Sequence, residues 1–263
     1  MKLGFASSVI SDVGLQRDGN EDSALISQVL IAVADGMGGH AAGEVASKVA
    51  IDALSGLAKV LLDSEMDADS KEDLLLGVTQ EIDDELATRT KSHPEFSGMG
   101  TTLTALFLNG SDAELLHIGD SRCYYIKKDK VQQLSHDHTV MQELLDQGRL
   151  SPDEVANHPQ RSLLTQVLMG DAQIHPMLFV KDVKLGDRFL LCSDGLSSVL
   201  SEQEINKIES SWQEKIDTLQ NTLSSNSQES VNNELSIQKL KKEHLEELKK
   251  KDEEISQNNK EIE

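Results

Sequence analysis

Val29-Leu30-Ile31-Ala32-Val33-Ala34-Asp35-Gly36 sets six apolar residues against an acid and a glycine. A short, rich apolar run of this kind reads as a buried strand, and Asp-Gly marks its stop. Met37-Gly38-Gly39-His40 follows. From Ala41 to Leu62 the period then changes, with Val45, Val49, Ala53, Leu57, Val60 and Leu61 at helical spacing. The chain therefore passes from a buried strand, through a glycine-rich acidic turn, into a long helix.

Outward from this unit strands and helices are mixed. Leu3 to Val9 is a short β-like run, and a second helix is expected over Lys71 to Thr90. Strands are expected at Thr101 to Leu108, Ala113 to Ile118 and Cys123 to Ile126, with Asn109-Gly110 as a hairpin turn. Helical stretches are expected at Asp137 to Gln147 and at Ser151 to Ala156, the second opened by Ser151-Pro152. Strands return at Met177 to Val183 and Arg188 to Cys192. Strand and helix runs are segregated, which indicates an α+β fold with largely antiparallel sheets.

All 17 glycines and all 4 prolines precede Leu196. That shift in punctuation predicts one domain over residues 1–205 and a helical tail over 206–263. In the tail Ile205, Ile208, Trp212, Ile216, Leu219 and Leu223 succeed one another by three or four. Leu245, Leu248, Ile255 and Ile262 fall on a heptad seam broken by Asp252 and Asn259, with a further break expected over Ser224 to Asn233. This is the pattern of amphipathic helices or a weak coiled coil, so the tail is expected to self-associate weakly or to take a partner helix. A solvated or partly disordered tail fits the same composition.

The formal charge of −21 repels nucleic-acid backbones and anionic membranes, so neither is an expected partner. An anionic substrate remains compatible, because bound cations invert the local field of a site. Cys123 and Cys192 lie in apolar stretches and read as buried thiols rather than a disulfide framework. The first ten residues lack the build of a signal peptide, and no apolar run approaches ~18 residues. The expected location is the cytoplasm.

Three apolar runs end beside an Asp and a Gly: at Asp35-Gly36, at Gly119-Asp120 and at Asp194-Gly195. Glu21-Asp22 precedes a fourth short run. Singly, each is an ordinary turn. Together they place acids where buried strands stop, and carboxylates gathered at one edge repel unless a cation lies among them. Hard oxygen ligands without clustered Cys or His favour Mg²⁺ or Mn²⁺ over Zn²⁺. Two such ions form a hydrolytic site for phosphoesters.

Arg17-Asp18-Gly19-Asn20-Glu21-Asp22 and Val33-Ala34-Asp35-Gly36-Met37-Gly38-Gly39-His40 resemble two motifs of bacterial metal-dependent Ser/Thr protein phosphatases of type 2C. Gly98-Met99-Gly100-Thr101-Thr102-Leu103, His117-Ile118-Gly119-Asp120-Ser121-Arg122 and Gly186 to Gly195 resemble three more, in the same order, and His158 to Thr165 is similar to the segment after that family's flap. The resemblance covers about Lys2 to Ile205. It implies a four-layer α-β-β-α sandwich and hydrolysis of phosphoserine and phosphothreonine in phosphorylated proteins by a hydroxide bridging two Mg²⁺ or Mn²⁺ ions. By the same resemblance Asp35 bridges both ions, the Gly36 carbonyl binds one and Asp194 the other. Glu21 and Asp22 act directly or through water, and Asp120 with Asp194 holds a third, weaker ion. Arg17 clamps the substrate phosphate, a task suited to its planar fork. His40 is assigned to substrate or leaving group.

The family closes with a helix, an Asp-Asn element carrying a metal ligand, and a final strand; nothing after Ile205 resembles these. The resemblance thus implies an incomplete sandwich, read as an active phosphatase with reduced metal affinity or with water or a tail residue in place of the missing ligand, as a phosphatase-like binding or signalling module without turnover coupled through the tail, or as a truncated catalytic domain followed by unrelated sequence. Among the remaining candidates, His117 reads as a packing or surface residue, and His136 and His138 as structural. Gly98-Met99-Gly100 is no dinucleotide fingerprint, because no helix with a downstream acid follows. Lys239 to Lys251 reads as a solvated helix face.

Overall fold

The structure is a computed structural model that describes residues 3–15, 17–38, 42–63, 66–127, 130–155, 158, 160, 162–170, 173–225 and 239. In chain order the elements are β1 (Asp22–Ile26), β2 (Leu30–Met37), α1 (Ala42–Asp63), α2 (Ala68–Ser92), β3 (Gly100–Thr101), β4 (Leu103–Asn109) and β5 (Asp112–Ile118). Then come β6 (Arg122–Lys127), β7 (Lys130–Gln133), α3 (Val140–Asp146), α4 (Pro152–Val155), β8 (Met177–Asp182), β9 (Arg188–Cys192) and α5 (Asp194–Ser197). Two compact units result, Met1–Asn206 and Lys207–Glu263.

The first unit is an α+β sandwich. Its larger sheet runs β1-β2-β4-β5-β8, with β3 also paired to β2, and its smaller sheet runs β7-β6-β9. Every pairing is antiparallel. The period-2 alternation of side chains sorts each strand between two cores. Leu30, Ala32 and Ala34 of β2, Leu103, Ala105 and Phe107 of β4, and Leu116 and Ile118 of β5 face α1 and α2. The opposite faces contribute Leu106, Leu108, Ala113 and Leu115, which meet Cys123 and Tyr125 of β6 between the sheets. A third cluster, Tyr124, Cys192 and Ile205, covers the outer face of the small sheet with Leu196 and Leu200 packed against it. Helix, sheet, sheet and helical cover give four layers.

Local chemistry fixes the elements. Small residues on α1, with Ala42, Ala46 and Ala50 all buried, let the helix approach the sheet closely. Asp67 caps α2 by accepting the Ser70 N–H at 2.8 Å. Gly110, at φ +68°, turns β4 into β5 with Asn109 opposite Asp112.

Four sequence expectations are corrected. Leu3 to Val9 forms no strand: Leu3 and Phe5 pack against the core between the sheets, but among the described residues its backbone is tied to β1–β2 by one bond, from Phe5 N–H to Gln28 O, and Val9 and Ile10 are exposed. Alternation alone makes a strand only where an edge accepts its ladder, and among the described residues none does. Residues 137–139 are not helical, because Thr139 caps α3 through the Gln142 N–H and His138 N–H is bonded to Gly119 O. Asp35 and Gly36 do not follow β2 but lie within it, paired to Asp22 and Thr101. In the second unit, residues 207–225 are helical, so the break expected from Ser224 does not begin there. Ile208, Trp212, Ile216, Leu219 and Leu223 on that helix are exposed. The second apolar seam of the tail, from Leu245 to Ile262, lies outside the described residues.

Candidate metal centre

The acids of the three Asp-Gly stops converge because the topology brings the corresponding strand ends to one end of the sandwich. Asp22 and Asp35 are directly opposed in the β1–β2 ladder. Opposed residues share a face of the sheet, and the face of Asp35 is that of Ile31, which packs into the core between the sheets. Asp194 enters from the end of β9, where Ser193 Oγ donates to Asp22 Oδ2 at 2.6 Å. Asp120 sits in the β5–β6 turn after Gly119, whose φ is +105°.

The electrostatics register this assembly. Burial, then the charges of Asp22, Asp194 and Asp120, push the Asp35 carboxyl from 3.8 up to about 8, and a hydrogen bond with Asp22 adds to the shift. Burial, then Asp194 and Asp137, raise Asp120 to about 6. Among the described residues, none of the ion pairs involves these four aspartates. Nor do three Asp, Glu, His or Cys side chains among them close tightly enough to enclose an ion unaided. The carboxylates nevertheless lie near enough for each to act on the charge of Asp35.

Glu21 lines the same region. Its carbonyl accepts Gly36 N–H at 3.2 Å and Ser47 Oγ at 2.6 Å. Gly36 and Gly43 meet backbone to backbone: a Cβ on Gly36 would lie 2.0 Å from Gly43 O, and one on Gly43 would lie 2.6 Å from Glu21 Oε2. The glycines therefore keep the Gly36 backbone bare beside the acids, as close approach to a ligand demands. An all-oxygen donor set, uncompensated charge and a backbone cradle that a Cβ would fill suit a hard divalent cation such as Mg²⁺ or Mn²⁺.

Of the other sequence candidates, Arg17 lies exposed three residues before Asn20, whose Oδ1 accepts the Asp22 N–H at 3.0 Å. His40 falls outside the described residues. His117 is fully buried; its rings contact Thr104 Oγ1 at 2.9 Å and His136 O at 3.0 Å, and burial, then the charge of His138, lowers its pKa to about 3. His138 Nδ1 accepts the Gly119 N–H at 3.1 Å. Sequence reading missed Ser193, Thr102 and Ser121, hydroxyls whose partners lie far away in the chain.

The family model for protein phosphatase 2C matches residues 19–239. The chain is 44% identical over 198 residues to the Ser/Thr protein phosphatase PstP of Mycobacterium tuberculosis, covering 74% of this chain but 37% of that protein. It is 36% identical over 203 residues to the Ser/Thr phosphatase stp of Listeria innocua, covering 75% of this chain and 80% of that one. Among solved structures, Stp1 from Staphylococcus aureus superposes with a TM-score of 0.73 at 32% identity, over 80% of this chain and 85% of that one. The catalytic domain of PstP in complex with two manganese ions gives 0.66 at 41% identity, over 75% and 81%. The order of motifs, the antiparallel sandwich and the family match agree, and the chain belongs to the protein phosphatase 2C family.

Proposed function

We propose that this chain hydrolyses phosphoserine and phosphothreonine in phosphorylated proteins, with Mg²⁺ or Mn²⁺ held at the aspartate cluster. The observation that carries this reading is the gathering of Asp22, Asp194 and Asp120 about a half-buried Asp35, whose partial burial and neighbouring charges raise its pKa to about 8. Such a cluster is costly as bare carboxylates and favourable around cations. When bound, two ions supply Lewis-acid chemistry and an activated water at neutral pH.

The residues divide the work. Asp35 would serve both ions, with the Gly36 carbonyl contributing to one and Asp194 to the other. Glu21 and Asp22 would complete the shell directly or through water, and Asp120 with Asp194 would hold a third, weaker ion. Arg17, free in solvent before β1, binds and orients the phosphate. His40 contacts the substrate or its leaving group. In the reaction water oxygen bonds to phosphorus, the phosphorus–serine oxygen bond breaks, and the departing alkoxide takes a proton. The exposed Trp212, Ile216, Leu219 and Leu223 support weak self-association of the tail, and the acidic, membrane-averse composition supports a cytoplasmic location. No helix among the described residues is long and apolar enough to cross a membrane.

Calorimetric titration with Mn²⁺ tests the assignment. Asp35→Asn should abolish binding, together with hydrolysis of a generic phosphate monoester. Unchanged Mn²⁺ binding in that variant would overturn it.

A further inference from the structure

Two of the acid-bearing segments are joined by one side chain that carries no charge. Thr102 Oγ1 accepts the Asp35 N–H at 3.0 Å, and Thr102 N–H donates back to Asp35 O at 2.9 Å. The same Oγ1 lies 2.8 Å from Ser121 Oγ, immediately after Asp120. The Thr102 methyl fills the space beneath Gly119, where an added Cβ would come within 2.6 Å of Thr102 Cγ2. Ser121 is secured in turn, since Thr104 Oγ1 donates to its carbonyl at 2.8 Å.

Thr102 is 2% exposed and Ser121 fully buried, so water cannot replace these bonds. A buried hydroxyl is costly unless bonded, and a valine would pack the same space without that cost. The hydroxyl pair thus lies where the end of β2 meets the β5–β6 turn, bonded to Asp35 on one side and belonging on the other to the residue after Asp120.

We propose that Thr102 is a positioning residue: with Ser121 it locks the Asp35 and Asp120 backbones together and so presets the aspartate cluster for divalent cations. The inference rests on the reading of those aspartates as metal ligands. Without the hydroxyl, the two segments keep their strands but lose the bonded link between them, and the repelling carboxylates relax apart.

Thr102→Val removes the bonds at nearly constant volume, and Thr102→Ser keeps the hydroxyl while losing the methyl. In Mn²⁺ calorimetry on the full chain, Thr102→Val should bind about tenfold to a hundredfold more weakly, the range seen when supporting partners of metal ligands are lost. Thr102→Ser should stay close to wild type. Ser121→Ala should shift affinity in the same direction, and the double variant should lose less than the two losses multiplied. The Mn²⁺ needed for half-maximal hydrolysis should rise with the Kd, while KM at saturating Mn²⁺ stays constant. A thermal melt establishes folding, and Ser121→Ala carries the test if Thr102→Val does not fold. Wild-type Mn²⁺ affinity in Thr102→Val or, failing that, in Ser121→Ala overturns the proposal, as do equal losses from the Val and Ser variants. If Asp35→Asn abolishes binding while those hydroxyl variants do not alter it, only the positioning role falls. Retained binding in Asp35→Asn removes the metal assignment itself.

Discussion

Ser193 donates its hydroxyl to the Asp22 carboxylate at 2.6 Å, closing a loop of 171 residues between the start of β1 and the end of β9. The bond ties the first strand of the large sheet to the end of the small sheet's β9. It also places Asp194, the next residue, within the field that raises the Asp35 pKa. A polar bond between distant strand ends thus helps to assemble like charges that would otherwise separate.

Metal-free protein should lose stability as pH rises, as far as Asp35 is concerned. Its folded pKa of about 8 exceeds the ordinary 3.8, so the folded state holds the proton more tightly. That contribution is fully present below the unfolded value and is lost as pH rises through about 8. Asp35→Asn lacks the penalty, so its melting temperature should exceed that of wild type by a margin that grows from about pH 5 to about pH 8. Excess Mn²⁺ should reverse the order, because only wild type gains binding free energy. A margin independent of pH would remove Asp35 from the crowded cluster.

Arg17→Ala should raise KM for a phosphopeptide while leaving the melt unchanged. The residue is exposed, and folding does not depend on its burial. A charged hydrogen-bonded contact is worth roughly 1.5–3 kcal/mol, or about tenfold to a hundredfold in affinity. Steady-state kinetics at saturating Mn²⁺ reads this directly, and wild-type KM would exclude Arg17 from phosphate binding.

Gly36→Ala should disrupt the fold at the centre rather than merely its chemistry. The new methyl would meet Gly43 O at 2.0 Å, Gly43 C at 2.4 Å and Glu21 O at 2.8 Å, all backbone atoms. Overpacking against backbone falls at the upper end of the usual cost, about 3 kcal/mol. Urea unfolding should show this loss even without metal, and a midpoint equal to wild type would contradict the close contact.

These cases show what the sequence disclosed. Asp35-Gly36 was legible because an apolar strand, an acid and a bare backbone lie within a few residues of one another. The facing of Asp22 and Asp35 was not, since register across β1 and β2 depends on pairing rather than on either strand alone. Thr102 and Ser121 carry no local signal: a hydroxyl in a strand reads as packing until its partner is known. Leu3 to Val9 shows the converse, because alternation cannot reveal whether a neighbouring edge is present to pair with it.

Asp83 makes the last prediction, concerning stability away from the aspartate cluster. This α2 carboxylate is only 5% exposed, yet it forms none of the ion pairs among the described residues. It instead accepts two backbone N–H groups, from Met169 at 3.0 Å and Gly170 at 2.7 Å. Gly170 is pressed so tightly on the helix that a Cβ would lie 2.4 Å from Ala87 N, and its φ of +81° suits glycine alone. Just upstream, Leu168 is bridged to Thr101 by reciprocal backbone bonds, and Thr101 Oγ1 reaches Asp35 O at 3.1 Å. Asp83 therefore anchors the segment whose bridge borders the centre. Asp83→Ala leaves both donors without their acceptor and should cost about 3 kcal/mol in urea unfolding. Asp83→Asn retains one acceptor oxygen and should recover part of that loss. Equal destabilisation by Ala and Asn would assign the effect to the lost charge, and no destabilisation by Ala would show that the segment is held without this anchor.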